Sequence, residues 1–177
     1  MMFTNSGFDP FSAEKLDIIF KIDSSNPTRI TSRESGHLEF KENFNWTSWQ
    51  KYGRTLSAFA NNQGGYLVFG IGDSPRELIG MTNNKFDSVT PEKISSDLNS
   101  AFAPEIKWYS HVHLIGTKRF GIIYTEECLN KPIIATKTIR DGKRVKEGEI
   151  YYRYRAKSER IHYSELHALI ESRQTQN

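Results

Sequence analysis

The order of signals along this 177-residue chain predicts an α+β fold: a single domain with a mixed, mostly antiparallel sheet and helices packed on it. Three observations carry that prediction. Alternating residues mark strands near 37–41, 108–124 and 149–157. Apolar residues three and four apart mark helices near 47–60, 90–102 and 164–170. The two kinds of signal follow one another in mixed order rather than as regular strand–helix–strand units.

Element by element, Ser12 stands as the cap of a first helix in which Leu16, Ile19 and Phe20 share a face. Residues 22–33 are rich in turn formers and read as a loop. In His37–Lys41, alternation sends Leu38 and Phe40 one way and His37, Glu39 and Lys41 the other. Trp49, Tyr52, Leu56 and Phe59 make one apolar stripe on a helix over about 47–60, and Asn61-Asn62-Gln63-Gly64-Gly65 ends it. Tyr66–Ile71 is a continuous apolar run, which predicts a central strand covered on both faces. Leu78–Met81 reads as a short return strand. Thr90-Pro91 starts a helix whose apolar face continues through Ile94, Leu98 and Phe102. Trp108–Ile115 and Arg119–Tyr124 form a hairpin around Gly116-Thr117-Lys118. Strand segments at Ile133–Thr138 and Glu149–Lys157 precede a last helix beginning near Ser164.

A hydrophobic fraction of 37% with 25% charged residues describes a globular, well-solvated chain. Cys128 is the single cysteine, so an internal disulfide is excluded and a reducing cytoplasm is the expected setting. Met1–Pro10 carries no signal-peptide pattern, and the apolar runs are too short to cross a bilayer, so no membrane partner is expected. The net charge of +3 is unevenly placed: Lys137–Arg160 holds nine Lys/Arg against four acids, a local surplus of five. Local basicity of that kind suits a phosphate-binding surface.

Glu34 and Glu39 flank a loop-to-strand transition, and Asp73 ends a neighbouring strand candidate. Delivered to one sheet edge they would suit a hard divalent cation such as Mg²⁺ or Mn²⁺, which prefers oxygen ligands and activates water against a phosphodiester. Lys41, on the Glu39 face, would offset developing charge. On composition and spacing alone the plainer reading is favoured: an exposed Glu39–Lys41 strand pair, a turn cap at Glu34 and a turn residue at Asp73.

Glu34-Ser-Gly-His-Leu-Glu39-Phe-Lys41, Ser57-Ala-Phe-Ala-Asn-Asn-Gln-Gly64-Gly65, Leu67-Val-Phe-Gly-Ile-Gly-Asp73 with Ile79-Gly80, and Gly148-Glu-Ile-Tyr-Tyr-Arg153 occur in that order. Together they resemble the Schlafen AlbA-like domain family over roughly residues 33–172. The resemblance sets residues 1–32 apart as an N-terminal helix and linker, and 173–177 as a tail. It implies nucleic-acid handling, RNA or DNA. It further implies that Glu34, Glu39 and Asp73 match the catalytic and metal-holding carboxylates of family members that cut tRNA and rRNA, with Mg or Mn as cofactor. Members lacking part of that set are regarded as binding modules. The chain departs from the animal Schlafen core in having one lobe rather than two and no zinc cluster. A homodimer would supply the second wall of a groove.

Gly64-Gly65 is not followed by Lys-Ser/Thr and precedes a strand, so ATP is not expected there. In Ile150–Lys157, alternation places Tyr151, Arg153, Arg155 and Lys157 on one face as a phosphate-binding row, with Lys143 and Arg144 on a nearby basic turn. His37, His111 and His113 read as minor or surface residues, and Trp46 and Trp49 as core and rim. Two functions compete: a metal-dependent endoribonuclease acting on structured RNA such as tRNA, and a non-catalytic DNA- or RNA-binding regulatory module. A protein-interaction domain is the third.

Overall fold

The computed structural model describes residues 8–139 and 144–174. Helix α1 (Ala13–Ile19) leads into the paired strands β1 (Ile22–Asp23) and β2 (Asn26–Ile30), and β3 (Leu38–Lys41) follows. After a 3-10 turn at Trp46–Ser48 come α2 (Trp49–Asn61), β4 (Gly65–Phe69), α3 (Lys85–Ser88) and α4 (Pro91–Asn99). Then follow β5 (Phe102–Ala103), the hairpin β6 (Trp108–Ile115) and β7 (Lys118–Thr125), and β8 (Ile134–Ala135). A second hairpin, β9 (Tyr151–Tyr154) and β10 (Lys157–Arg160), precedes α5 (Tyr163–Gln174). Among these helices none is long and apolar enough to cross a membrane.

The central sheet has the order β3-β4-β7-β6; β3 and β4 are parallel and the other two pairings antiparallel. The predicted α+β class therefore holds. Alternation divides the core between the two faces. Leu38, Phe40, Val68, Phe120 and Ile122 pack against Leu16, Ile19, Phe20 and Ile30 from the N-terminal segment. Leu67, Phe69 and Ile123 pack on the other side with Tyr52, Leu56 and Phe59 of α2. Each such side chain contributes roughly 1.5–3 kcal/mol on burial. Strand β4 lies between β3 and β7 and is covered on both faces, as its unbroken apolar run predicts.

Helix α2 connects the sheet to the β9–β10 hairpin, and its second half, Thr55–Asn61, is buried on all sides. The two asparagines that close it act through their side chains. Asn61 Nδ2 donates to the carbonyls of Ile133 and Tyr151, both at 2.9 Å, and its Oδ1 accepts from Ile133 N at 2.6 Å. Asn62 Nδ2 donates to Arg153 O at 3.3 Å and its Oδ1 accepts from Tyr152 OH at 3.1 Å. Amides this fully paired, the Asn61 one buried and the Asn62 one half-buried, hold β9 against the helix end. Gly64 then turns the chain with φ 75°, and β4 starts at Gly65, the helix-to-strand turn expected of the glycine pair.

Five local expectations change. Residues 22–30 form the β1–β2 pair rather than a loop, because the turn formers serve a tight reversal: Asp23 Oδ1 accepts from Ser25 N at 2.8 Å and Asn26 Oδ1 from Thr28 N at 3.0 Å. Ser12 holds the N-cap position of α1 but makes no side-chain cap; only its carbonyl accepts, from Leu16 N. Thr90 does cap α4, its Oγ1 accepting from Lys93 N at 3.3 Å, yet that helix ends at Asn99 and Phe102 is a buried strand residue paired with Ala135. Leu78 makes only an isolated bridge to Ile71. His111 and His113 are half-buried under Phe11 and Phe20, with ring centroids 5.1 and 4.8 Å apart, rather than on the surface.

Gly64 is the position where a methyl group is least tolerated. A Cβ there would lie 2.6 Å from Thr125 O on a backbone with φ 75°. Gly64→Ala should cost about 3 kcal/mol, combining left-handed strain with overpacking, read as a lower urea midpoint at unchanged m-value.

Candidate functional site

The strand alternation predicted at 37–41 is realised, and it carries Glu39 toward α2 rather than into solvent. Glu39 is 7% exposed. Its Oε1 pairs with Lys41 Nζ at 2.6 Å and its Oε2 with Arg153 Nη1 at 2.5 Å. Thr55 Oγ1, on α2, donates to Oε2 over 3.4 Å. The surface-pair reading of Glu39 and Lys41 is therefore half correct: the pair exists, but Glu39 lies within the core wall.

Arg153, 3% exposed, is the centre of the arrangement. Its Nε donates to Ser35 O at 3.1 Å, Nη1 also to Ser158 Oγ at 3.0 Å, and Nη2 to Leu38 O at 3.3 Å. The guanidinium lies 5.1 Å from the Phe59 ring centroid. Burial pulls its pKa down from the ordinary arginine value, while the Glu39 and Glu34 carboxylates pull it up. An arginine guanidinium is the most strongly basic side chain and pairs here as a cation with Glu39. Glu34 completes the network from the edge of β3, its Oε1 accepting from Phe40 N at 2.9 Å. Two carboxylates and two cations thus meet where β3, α2 and β9 converge.

Asp73 is placed differently. It is exposed on the turn after β4, and that turn is tied to the N-terminal segment by Leu78 N to Thr28 O at 2.8 Å and Ile30 N to Arg76 O at 3.1 Å. Among the described residues no three His, Cys, Asp or Glu side chains form a group able to hold a metal ion. In this arrangement Glu39 faces two cations and Glu34 a backbone amide, while Asp73 stands apart from both on its exposed turn.

The expected phosphate-binding row is also redistributed. Residues 149–157 are not one strand: the chain reverses after Tyr154, Arg155 takes φ 52°, and Lys157 begins β10. Tyr151 and Arg153 point into the core, whereas Arg155 and Lys157 are exposed at the hairpin turn. Arg144 is exposed too, and Lys143 lies outside the described residues. Tyr151 OH donates to Glu149 Oε2 at 2.7 Å and accepts from Lys146 N at 2.9 Å; burial, aided by Glu149, pushes its phenol up to about 12. Sequence reasoning missed Arg54 of α2, whose guanidinium carbon lies 5.0 Å from the Tyr151 ring centroid. Its signal in the sequence was its place one turn after Lys51, off the apolar stripe.

The description "Schlafen, AlbA_2" fits the family model that matches residues 34–162. An uncharacterized ATP-binding protein of Ureaplasma parvum serovar 3 is 38% identical over 160 residues, covering 83% of this chain and 45% of that protein. The chain thus spans under half the length of this curated relative. Among solved structures, the DIP2311 protein of Corynebacterium diphtheriae is similar in fold, with a TM-score of 0.54 at 13% identity over 82% of this chain and 25% of that one.

Removing one partner of the central pair leaves a buried charge uncompensated. Glu39→Gln should cost about 3–5 kcal/mol, while Glu39→Leu combined with Arg153→Met should recover much of that loss. A double-mutant cycle by urea denaturation measures the coupling, and additive losses would show that the pair does not hold the hairpin.

Proposed function

The chain belongs to the Schlafen AlbA_2 family, and from that membership we propose that it binds nucleic acid through the exposed cations of the β9–β10 hairpin. Membership supports the nucleic-acid-binding role. The observation that supports the location is the state of Arg155 and Lys157: both are exposed at the turn, and among the described residues neither side chain is hydrogen-bonded or ion-paired. Arg144 adds a third exposed cation. Free cations of this kind neutralise phosphates and release counterions, which gives affinity without reading sequence.

Hydrolysis of RNA is the finer reading. What supports it is the convergence of Glu34, Glu39 and Lys41 at one edge of the sheet, with Asp73 following the neighbouring strand. In this reading the substrate is structured RNA such as tRNA, with Mg or Mn as the cation. A homodimer would give a single lobe the second wall of a substrate groove.

Two measurements separate these readings. Binding of a labelled single-stranded RNA across a salt series should weaken with salt, and Arg155→Ala with Lys157→Ala should reduce the slope of log K against log salt by about 1.4. An unchanged slope removes the hairpin from the interface. In Mn²⁺, the hydrolysis reading expects products from tRNA that disappear in Asp73→Asn, an exposed position whose change spares the core. Absence of products from the unmodified protein would sink hydrolysis and leave binding intact.

A further inference from the structure

Building on the nucleic-acid-binding reading, we infer that the seam between α2 and the base of the β9–β10 hairpin is a phosphate subsite, formed by Arg54 over the Tyr151 ring together with Arg160 and Lys146. Arg54 of α2 and Arg153 of β9 both lie where the helix meets the hairpin, and they are in opposite states. The Arg153 side chain has four hydrogen bonds, one of them the ion pair to Glu39. The Arg54 side chain makes no hydrogen bond or ion pair among the described residues, and its Nε is buried with no partner. A buried donor without an acceptor carries an uncompensated desolvation cost, and a guanidinium fork is matched by the paired oxygens of a phosphate.

The surroundings are fixed and net positive. Tyr151 is anchored at its hydroxyl by Glu149 and the backbone of Lys146, so its ring is a rigid floor under Arg54. Arg160 stands directly opposite Tyr151 in the hairpin register, hence on the same face, and pairs through Nη2 with Glu149 Oε1. Lys146 is exposed beside them. Glu149 is one carboxylate among Arg54, Lys146 and Arg160, and it is already shared between Arg160 and the Tyr151 hydroxyl. The phenol, raised to about 12, remains neutral and adds no repulsion to an incoming anion.

Continuity with the hairpin tip identifies the anion as a backbone phosphate of nucleic acid. Arg160 lies three residues along β10 from Lys157, about 10 Å away and on the opposite face of the hairpin, so one nucleic-acid strand that reaches both cations passes around the edge of β10, a span of about three nucleotides at 3.4 Å each. The tip and the seam would then hold neighbouring stretches of one strand.

The test compares salt series of single-stranded RNA binding for the unmodified protein, Arg54→Gln, Arg54→Lys and the Arg155→Ala/Lys157→Ala double variant, with melting temperatures measured alongside. Arg54→Gln should lower the slope by about 0.7 while leaving the melting temperature unchanged or higher, and Arg54→Lys should keep the slope. A slope in Arg54→Gln equal to that of the unmodified protein overturns the subsite. If the double variant still loses slope in that case, nucleic-acid binding stands and the subsite alone falls. If the unmodified protein shows no salt-dependent binding, the binding reading itself fails. Should Arg54→Gln not fold, Arg160→Gln at its exposed position serves instead: a lower slope supports the subsite and an unchanged one overturns it.

Discussion

The Glu39–Arg153 ion pair is the constraint on which the arrangement depends. It joins residues 114 apart in sequence, and with Lys41, Ser35, Leu38 and Ser158 it closes the outer edge of β3 with a distant hairpin. Taking both ions out of water costs several kcal/mol each, and their attraction offsets that only when the remaining donors and acceptors are also satisfied. Here they are: Arg153 uses Nε and both terminal nitrogens, and Glu39 uses both oxygens. The pair therefore contributes less to net stability than to position. It specifies one docking of the hairpin where a purely apolar contact could slide.

This explains why the sequence was informative about strands and poor about exposure. Period-two alternation assigned Leu38 and Phe40 to one side and Glu39 and Lys41 to the other, and the unbroken run at 66–71 located the central strand; both follow from local geometry. Whether the Glu39 side faced water or protein depended on α2 and on a residue far along the chain, which no local period encodes. The same limit governed residues 149–157. Alternation assumes an unbroken strand, and Arg155 breaks it at φ 52° with no glycine to announce the turn. A row expected on one exposed face became two buried residues and two exposed ones.

The asparagines at 61 and 62 show a related gap. Their composition marked the end of α2 correctly, since short polar side chains favour helix termini. Composition could not show that the same amides would be the partners of the Ile133, Tyr151 and Arg153 carbonyls. Those bonds place the start of β9 within reach of α2, and so decide that Arg153 enters the core while Arg155 remains outside.

Neutrality of the central network also shapes what its surface can attract. Glu34 and Glu39 are balanced by Lys41 and Arg153 at close range, so the edge of β3 presents little net field to an approaching polyanion. Had Arg153 joined the exposed row, Glu39 would have been left as a carboxylate facing one lysine, and the row would have stood beside uncompensated negative charge. By withdrawing one arginine to neutralise the acids, the fold leaves Arg144, Lys146, Arg155 and Lys157 as exposed cations with no described pairing partner on their side chains. The basicity visible in residues 137–160 is thus divided by burial into a part that holds the domain together and a part available to phosphate.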